Sequence, residues 1–224
     1  DRLIQFKDER KLIKSVPKFV PAGQTTQMVV GADNETDQDV ILMADRHYKE
    51  FKLKRVYYSG YIPINTEEKA LPAVGTAPPL LRENRLYQSD WLMRFYGFEA
   101  KEIVNNQHPN LDLEVDPKLS WALRNPEQFP VDINKADYRM ILRVPGIGVR
   151  SAKKIVSARR FGKIHIDQLK RMGVAYNRAQ HFIRCADTPQ FIKDLMPSQI
   201  RHQILQGGQS KYTSQLSPQL GLGF

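Results

Sequence analysis

A run of 15 residues recurs, in degenerate form, 27 positions further along the chain, and this repeat limits the possible folds more than any other feature. Leu142 to Val156 reappears as Leu169 to Ile183, with Gly146 on Gly173, Ile147 on Val174, Ala152 on Ala179, Ile155 on Phe182 and Val156 on Ile183. Two copies of helix, glycine-containing turn and helix predict one compact unit, because neither copy alone can bury its apolar face.

The turn suggests the chemistry. Gly146 and Gly148 bracket an apolar residue where the chain must reverse and approach another surface without a side chain in the way. A phosphate suits such a place. A helix starting near Val149 would aim unpaired backbone N–H groups and the positive end of its dipole there, and Arg150, Lys153 and Lys154 add full charges. An ordinary helical hairpin capped by glycine would show the same Gly-Ile-Gly, but the charge distribution favours an anion. From Arg139 to Ile166 there is no Asp or Glu. Over 134–185 there are 13 Lys and Arg against two acids, a net of +11, while the whole chain carries +10 and the other 172 residues sum to −1. A field so concentrated is the footprint of a polyanion partner. The second copy has Ala175 where the first has Gly148, so it is expected to grip phosphate more weakly or only to pack against the first.

Ile133-Asn134-Lys135-Ala136, followed by Leu142-x-x-Pro145-Gly146-Ile147-Gly148-x-x-x-Ala152, resembles the tandem helix-hairpin-helix DNA-binding domain. The resemblance implies non-sequence-specific contact with the DNA backbone. In this sequence the contacts fall on Gly146, Ile147, Gly148, Val149, Arg150, Lys153 and Lys154, with Gly173, Val174 and Arg178 from the second copy. Asn134 is expected to cap the first helix.

Composition narrows the remainder. With 41% apolar residues, no uninterrupted apolar run of membrane-spanning length and a charged start without a signal-peptide pattern, the chain reads as a globular, cytoplasmic protein. The single cysteine, Cys185, excludes an internal disulfide and a Cys-rich metal site built by this chain alone, and is expected to be buried in a helix. The five histidines show no metal-ligand spacing, so no metal is placed on them.

In the first half, Gln27 to Val30 reads as a strand and Thr36-Asp37-Gln38-Asp39 as a capping box opening a helix. Val40, Ile41, Ala44, Tyr48 and Phe51 share one face of that helix, and Arg55 to Ile62 reads as a second strand. Strand, helix and strand predict a parallel βαβ unit whose ligand end is the turn Gly31 to Glu35 and the run Ser59 to Asn65. One such unit cannot cover its own sheet, so further strands are expected upstream of Asp1. Residues 63–79 read as a surface connection, Leu86, Trp91, Leu92, Phe95 and Tyr96 as the core face of a helix, 111–116 as a half-exposed extended segment, and Asp116-Pro117 as the start of a helix reaching Arg124.

Residues 21–32, Lys54-Arg55-Val56-Tyr57-Tyr58-Ser59, Arg85-Leu86-Tyr87-Gln88-x-Asp90-Trp91-Leu92 and 112–119 are similar to the C-terminal part of the DNA modification/repair radical SAM proteins, and the similarity runs from about Phe19 to Cys185. It implies an α/β fold, the C-terminal part of a partial TIM-type barrel, followed by an all-α tandem helix-hairpin-helix domain. The full-length family carries a 4Fe-4S iron-sulfur cluster and S-adenosyl-L-methionine. The three-cysteine cluster motif is absent here, so no cofactor is expected on this chain alone, and Gln24, Thr25, Gln27, Gly31 and Tyr58 would line the pocket of a complete barrel. The implied organisation is 1–70 partial barrel, 71–132 connecting helical region, 133–186 tandem hairpins, 187–206 helical extension and 207–224 flexible tail.

The tail ends in Gln219-Leu220-Gly221-Leu222-Gly223-Phe224, which resembles the peptide by which bacterial polymerases and repair proteins dock on the sliding clamp. Gln219 would bond at the rim of an apolar pocket filled by Leu222 and Phe224. The expected function is the DNA-binding segment of a radical SAM DNA repair or modification enzyme, with a non-catalytic recruitment module of a repair complex as the alternative.

Overall fold

A computed structural model describes residues 22–64, 70–188 and 195–212. These divide at Pro117/Lys118 into two compact units.

The first unit begins with β1 (Thr25–Val30), α1 (Asp37–Glu50) and β2 (Arg55–Gly60). The capping box forms as its residues require: the Thr36 hydroxyl accepts from the Asp39 N–H and the Asp39 carboxylate accepts from the Thr36 N–H. β1 and β2 pair in parallel from Thr25↔Arg55 to Val30↔Gly60. Partners in a parallel ladder point to the same side, so Val30, Val56 and Tyr58 go under the helices while Val29 and Tyr57 remain 54% and 40% exposed on the other face. A parallel sheet is ordinarily covered on both faces. Among the described residues this one is a two-stranded sheet covered on one, and no barrel forms.

β2 is nonetheless closed along its outer edge. Its Val56 N–H donates to the Tyr48 hydroxyl (2.9 Å), its Tyr58 N–H to the Tyr87 hydroxyl (3.0 Å) and its Gly60 N–H to the Glu83 carboxylate (2.8 Å). Tyr87 and Glu83 lie on α2 (Leu80–Phe95), which is followed by α3 (Ala100–Ile103). α2 buries Leu86, Ser89, Asp90 and Leu92. Trp91 and Phe95, expected in the core, instead meet each other as tilted rings, centroids 5.1 Å apart, on the outer side, 53% and 49% exposed. The Arg94 guanidinium, held by the buried Asp90 at 2.7 Å, lies over the Phe95 ring at 4.9 Å. The 111–116 segment is bent rather than extended, because the Asp112 carboxylate accepts from the Glu114 and Val115 N–H groups.

The second unit holds α4 (Pro117–Arg124), a 3-10 turn (Pro126–Gln128), β3 (Val131–Asp132), α5 (Tyr138–Arg143), α6 (Val149–Ala158), α7 (Ile166–Arg171), α8 (Tyr176–Ala179), β4 (Ile183–Arg184) and α9 (Pro197–Tyr212). It is not all-α: β3 and β4 pair in parallel, with the Val131 N–H on Phe182 O (2.8 Å) and the Ile133 N–H on Arg184 O (2.9 Å). This short ladder fastens the start of the repeat to its end. Ile133, Ile141, Ile147, Ile155, Ile164, Leu169 and Ile183, each at most 2% exposed, fill the space between the copies. Trp121 of α4 reaches the same core through edge-on contacts from Trp121 to Phe129 (6.0 Å) and from Phe129 to Phe182 (5.1 Å). α4 thus packs within the unit that holds the hairpins.

Asp137, not Asn134, caps α5, accepting from the Met140 N–H at 2.8 Å. Asn134 is turned onto the Ile164 peptide, accepting from its N–H (2.8 Å) and donating to its oxygen (3.3 Å). Cys185 follows β4 outside any helix and is half-buried. α9 continues through Gly207 and Gly208 to Tyr212, so the tail expected from 207 onward is helical over its first six residues. Gln219, Leu222 and Phe224 lie outside the described residues.

Candidate nucleic-acid interface

The two hairpins are built alike and used differently. Gly146 and Gly173 both have left-handed backbone, φ +86° and +85°. A Cβ on Gly146 would sit 2.6 Å from the Ala175 oxygen and 3.2 Å from the Ala179 nitrogen, whereas one on Gly173 would meet only the Ser151 hydroxyl at 3.7 Å. The close approach read from the sequence is real, but the surface approached at Gly146 is the backbone of the second hairpin rather than a ligand. The Ala175 N–H donates to Gly146 O at 2.9 Å and the Ser151 hydroxyl to Met172 O at 3.1 Å, which locks the copies together.

That lock leaves the two turns with different backbone donors. At the first hairpin, α6 opens on Gly148 with no side-chain cap, and the first helical bond runs from the Ala152 N–H to Gly148 O (2.9 Å). The N–H groups of Gly148, Val149 and Arg150 donate to nothing among the described residues, and the positive end of the α6 dipole lies behind them. At the second hairpin the equivalent N–H, that of Ala175, is already engaged by Gly146, and α8 is only four residues long.

Around the first turn the charges are unspent. Arg150, Lys153, Lys154, Arg160 and Lys163 are exposed and form no ion pair among the described residues, unlike Lys135, His165 and Lys170 of the same unit. Arg159 is different, since its guanidinium donates to Ile133 O (3.2 Å) and Ala136 O (2.5 Å) and so pins the entry to the repeat. Ile147 and Val174 are 1% and 7% exposed, so their side chains belong to the core and only their backbone could meet a phosphate. Arg178 is half-buried beside Gly146.

One participant was not singled out from the sequence. Lys118, 8% exposed, extends from α4 to place its Nζ 2.6 Å from Ile147 O at the tip of the first hairpin. Its signal was present: helical spacing puts it on one face with Trp121 and Ala122, where a lysine needs a buried partner.

The residues assigned to a cofactor pocket scatter. Thr25 and Gln27 lie on the open sheet face, where Gln27 donates to the Ser59 hydroxyl at 2.9 Å beside Tyr57, a neighbour not assigned to the pocket from the sequence. Gln24 precedes β1 and accepts from the Lys54 N–H (2.7 Å), and Gly31 backs onto the Pro79 ring at 2.9 Å from its missing Cβ. Tyr58, one strand position from Tyr57, points under the helices at 2% exposure. Burial, and then the Asp90 carboxylate, hold its hydroxyl protonated well above the ordinary phenol range. These residues do not fit an iron-sulfur cluster: among the described residues no group of three or more His, Cys, Asp or Glu could hold a metal ion. The one thiol, Cys185, is pushed up by burial and lies beside Asp187 and Thr188. Among the described residues no helix is long and apolar enough to cross a membrane.

No family model, no curated protein and no solved structure matches the chain.

Proposed function

We propose that this chain is a DNA-binding segment of a cytoplasmic radical SAM DNA repair or modification enzyme, and that it grips the sugar–phosphate backbone without reading sequence. The observation that carries the reading is the first hairpin: three N–H groups at the start of α6 with no acceptor among the described residues, flanked by exposed Arg150, Lys153 and Lys154 that form no ion pair there, and no carboxylate in the sequence from Arg139 to Ile166. Backbone donors at a helix start together with mobile cations suit phosphate oxygens, and nothing in the set is arranged to discriminate base edges. The second hairpin acts as the brace that sets the first.

The enzyme part of the proposal is supported by the first unit. An outer strand closed by side chains and an inner strand that has no neighbour on its other edge among the described residues suit the last strand pair of a larger parallel sheet, and iron-sulfur and S-adenosyl-L-methionine chemistry would belong to that larger body. Association of Gln219, Leu222 and Phe224 with a sliding clamp is part of the same proposal, and a pull-down with the chain lacking 219–224 tests it: retention of the clamp would discard the docking peptide.

The central test is fluorescence anisotropy with a labelled duplex. Binding in the micromolar range, tolerant of sequence, is expected, with log affinity falling by about 0.9 per log unit of salt for each phosphate neutralised. Arg150→Glu with Lys153→Glu should reduce that slope by about 2 and lower affinity on the order of 100-fold at low salt. Unchanged affinity in the double variant would move the site away from this hairpin.

A further inference from the structure

Lys118 is a cation placed where cations are seldom left. It is nine-tenths buried, on the α4 face that carries Trp121 and Ala122 into the core, and its ammonium donates to Ile147 O at 2.6 Å. Ile147 O is the carbonyl of the hairpin tip. The peptide it belongs to joins Ile147 to Gly148, and in a planar trans peptide the C=O and the N–H point in opposite directions. An ammonium that holds Ile147 O toward the interior therefore holds the Gly148 N–H outward. That N–H is the first of the three that donate to nothing among the described residues.

We infer that Lys118 is a positioning residue for anion binding: it fixes the Ile147–Gly148 peptide with its donor presented to a phosphate, and it sets a full positive charge behind that donor. The inference rests on the backbone-binding reading above and adds a residue that never touches the ligand. Two physical effects act together. A charge-assisted hydrogen bond is short and stiff, so the tip does not have to reorganise when the phosphate arrives. A cation in a poorly solvated site is weakly screened, so its field reaches through one peptide unit with little loss. The second hairpin shows the contrast, because there the matching N–H of Ala175 is turned onto Gly146 O and presents nothing outward.

The test uses the full 224-residue chain, a labelled duplex and three substitutions. Lys118→Met keeps the length of the side chain and removes charge and donor; Lys118→Gln restores a neutral donor; Lys118→Arg restores a charged one. With the methionine variant folded by circular dichroism, duplex affinity should drop about tenfold while the salt slope stays at the wild-type value, since no phosphate contact has been removed. Arg should recover most of the loss and Gln part of it. Independently of any substitution, titrating duplex into isotope-labelled wild-type protein should move the Gly148 amide resonance among the most. If the methionine variant does not fold, the Gly148 amide and the Gln and Arg variants still decide. Wild-type affinity in the folded methionine variant, a salt slope lower by about 1, or a Gly148 amide that duplex leaves in place would each overturn the inference. The two readings fail separately: wild-type protein that does not bind duplex sinks backbone binding itself, whereas wild-type binding abolished by Arg150→Glu with Lys153→Glu but indifferent to Lys118→Met sinks only the role of Lys118.

Discussion

Glycine at two equivalent positions answers to two different pressures, and substitution separates them. At Gly173 only the backbone matters: φ is +85° and the nearest atom to an added Cβ is a hydroxyl at ordinary contact distance, 3.7 Å. Gly173→Ala should therefore cost about 1–2 kcal/mol, the usual penalty of left-handed backbone for a residue with a Cβ. Gly146 has the same φ and also meets two backbone atoms, one at 2.6 Å, that cannot rotate away. Gly146→Ala must part the hairpins or bend the turn, and on the order of 3 kcal/mol or more is expected. Urea denaturation followed by circular dichroism measures both, and equal losses would show that the hairpin contact is not what demands glycine at Gly146. The need for glycine at this turn was legible from the sequence. What stood against it was not, because the backbone of Ala175 and Ala179 arrives only through the packing of one copy on the other. Asn134 was misplaced for a related reason: an asparagine ahead of a helix has capping potential, but here the Ile164 peptide, 30 residues away, offers it both a donor and an acceptor.

At the scale of elements, local chemistry was readable and edges were not. The β1–α1–β2 unit follows from Thr36 and Asp39 reciprocating across a first turn and from apolar residues at helical spacing, both of which are local facts. That the outer edge of β2 ends the sheet depends on Tyr48, Tyr87 and Glu83, whose hydroxyls and carboxylate substitute for a neighbouring strand. Tyr87 does this twice, accepting from the Tyr58 N–H and donating to Tyr58 O, each at 3.0 Å. Tyr87→Phe keeps the ring and its edge-on contact with Tyr58 while leaving that N–H and C=O without partners, so a loss of about 1–3 kcal/mol is expected in urea denaturation. A loss near zero would mean that water satisfies the edge as well as the tyrosine does. α9 exposes the reverse limit. Gly207, Gly208 and the glutamines around them read as linker by composition, yet the helix begun at Pro197 carries through them, because composition weighs residues one at a time and a helix already nucleated gains a bond with each residue it adds.

Across the whole molecule the charge is divided as the units are. Residues 118–224 carry 18 Lys and Arg against six Asp and Glu, a net of +12, while residues 1–117 sum to −2. The sequence showed this asymmetry at full strength because formal charge needs no fold to be counted. It did not show which cations were spent: Arg159 serves the hairpin's own carbonyls and Lys118 its tip, whereas Arg150, Lys153, Lys154, Arg160 and Lys163 stay exposed and unpaired among the described residues. On the proposed reading a polyanion is drawn by the field of one unit and meets, among the described residues, the free donors at the start of α6. Hydrogen exchange with and without duplex should then show slowed exchange confined to the second unit and greatest at Gly148, Val149 and Arg150, since an amide bonded to a phosphate oxygen exchanges only when that bond opens. Slowing should fade as salt is raised, in step with the loss of affinity, because the attraction that places the phosphate there is screened. The first unit, without net positive charge, should exchange alike in both conditions. Protection centred on β1 and β2, or spread evenly over both units, would place the nucleic acid somewhere other than the first hairpin.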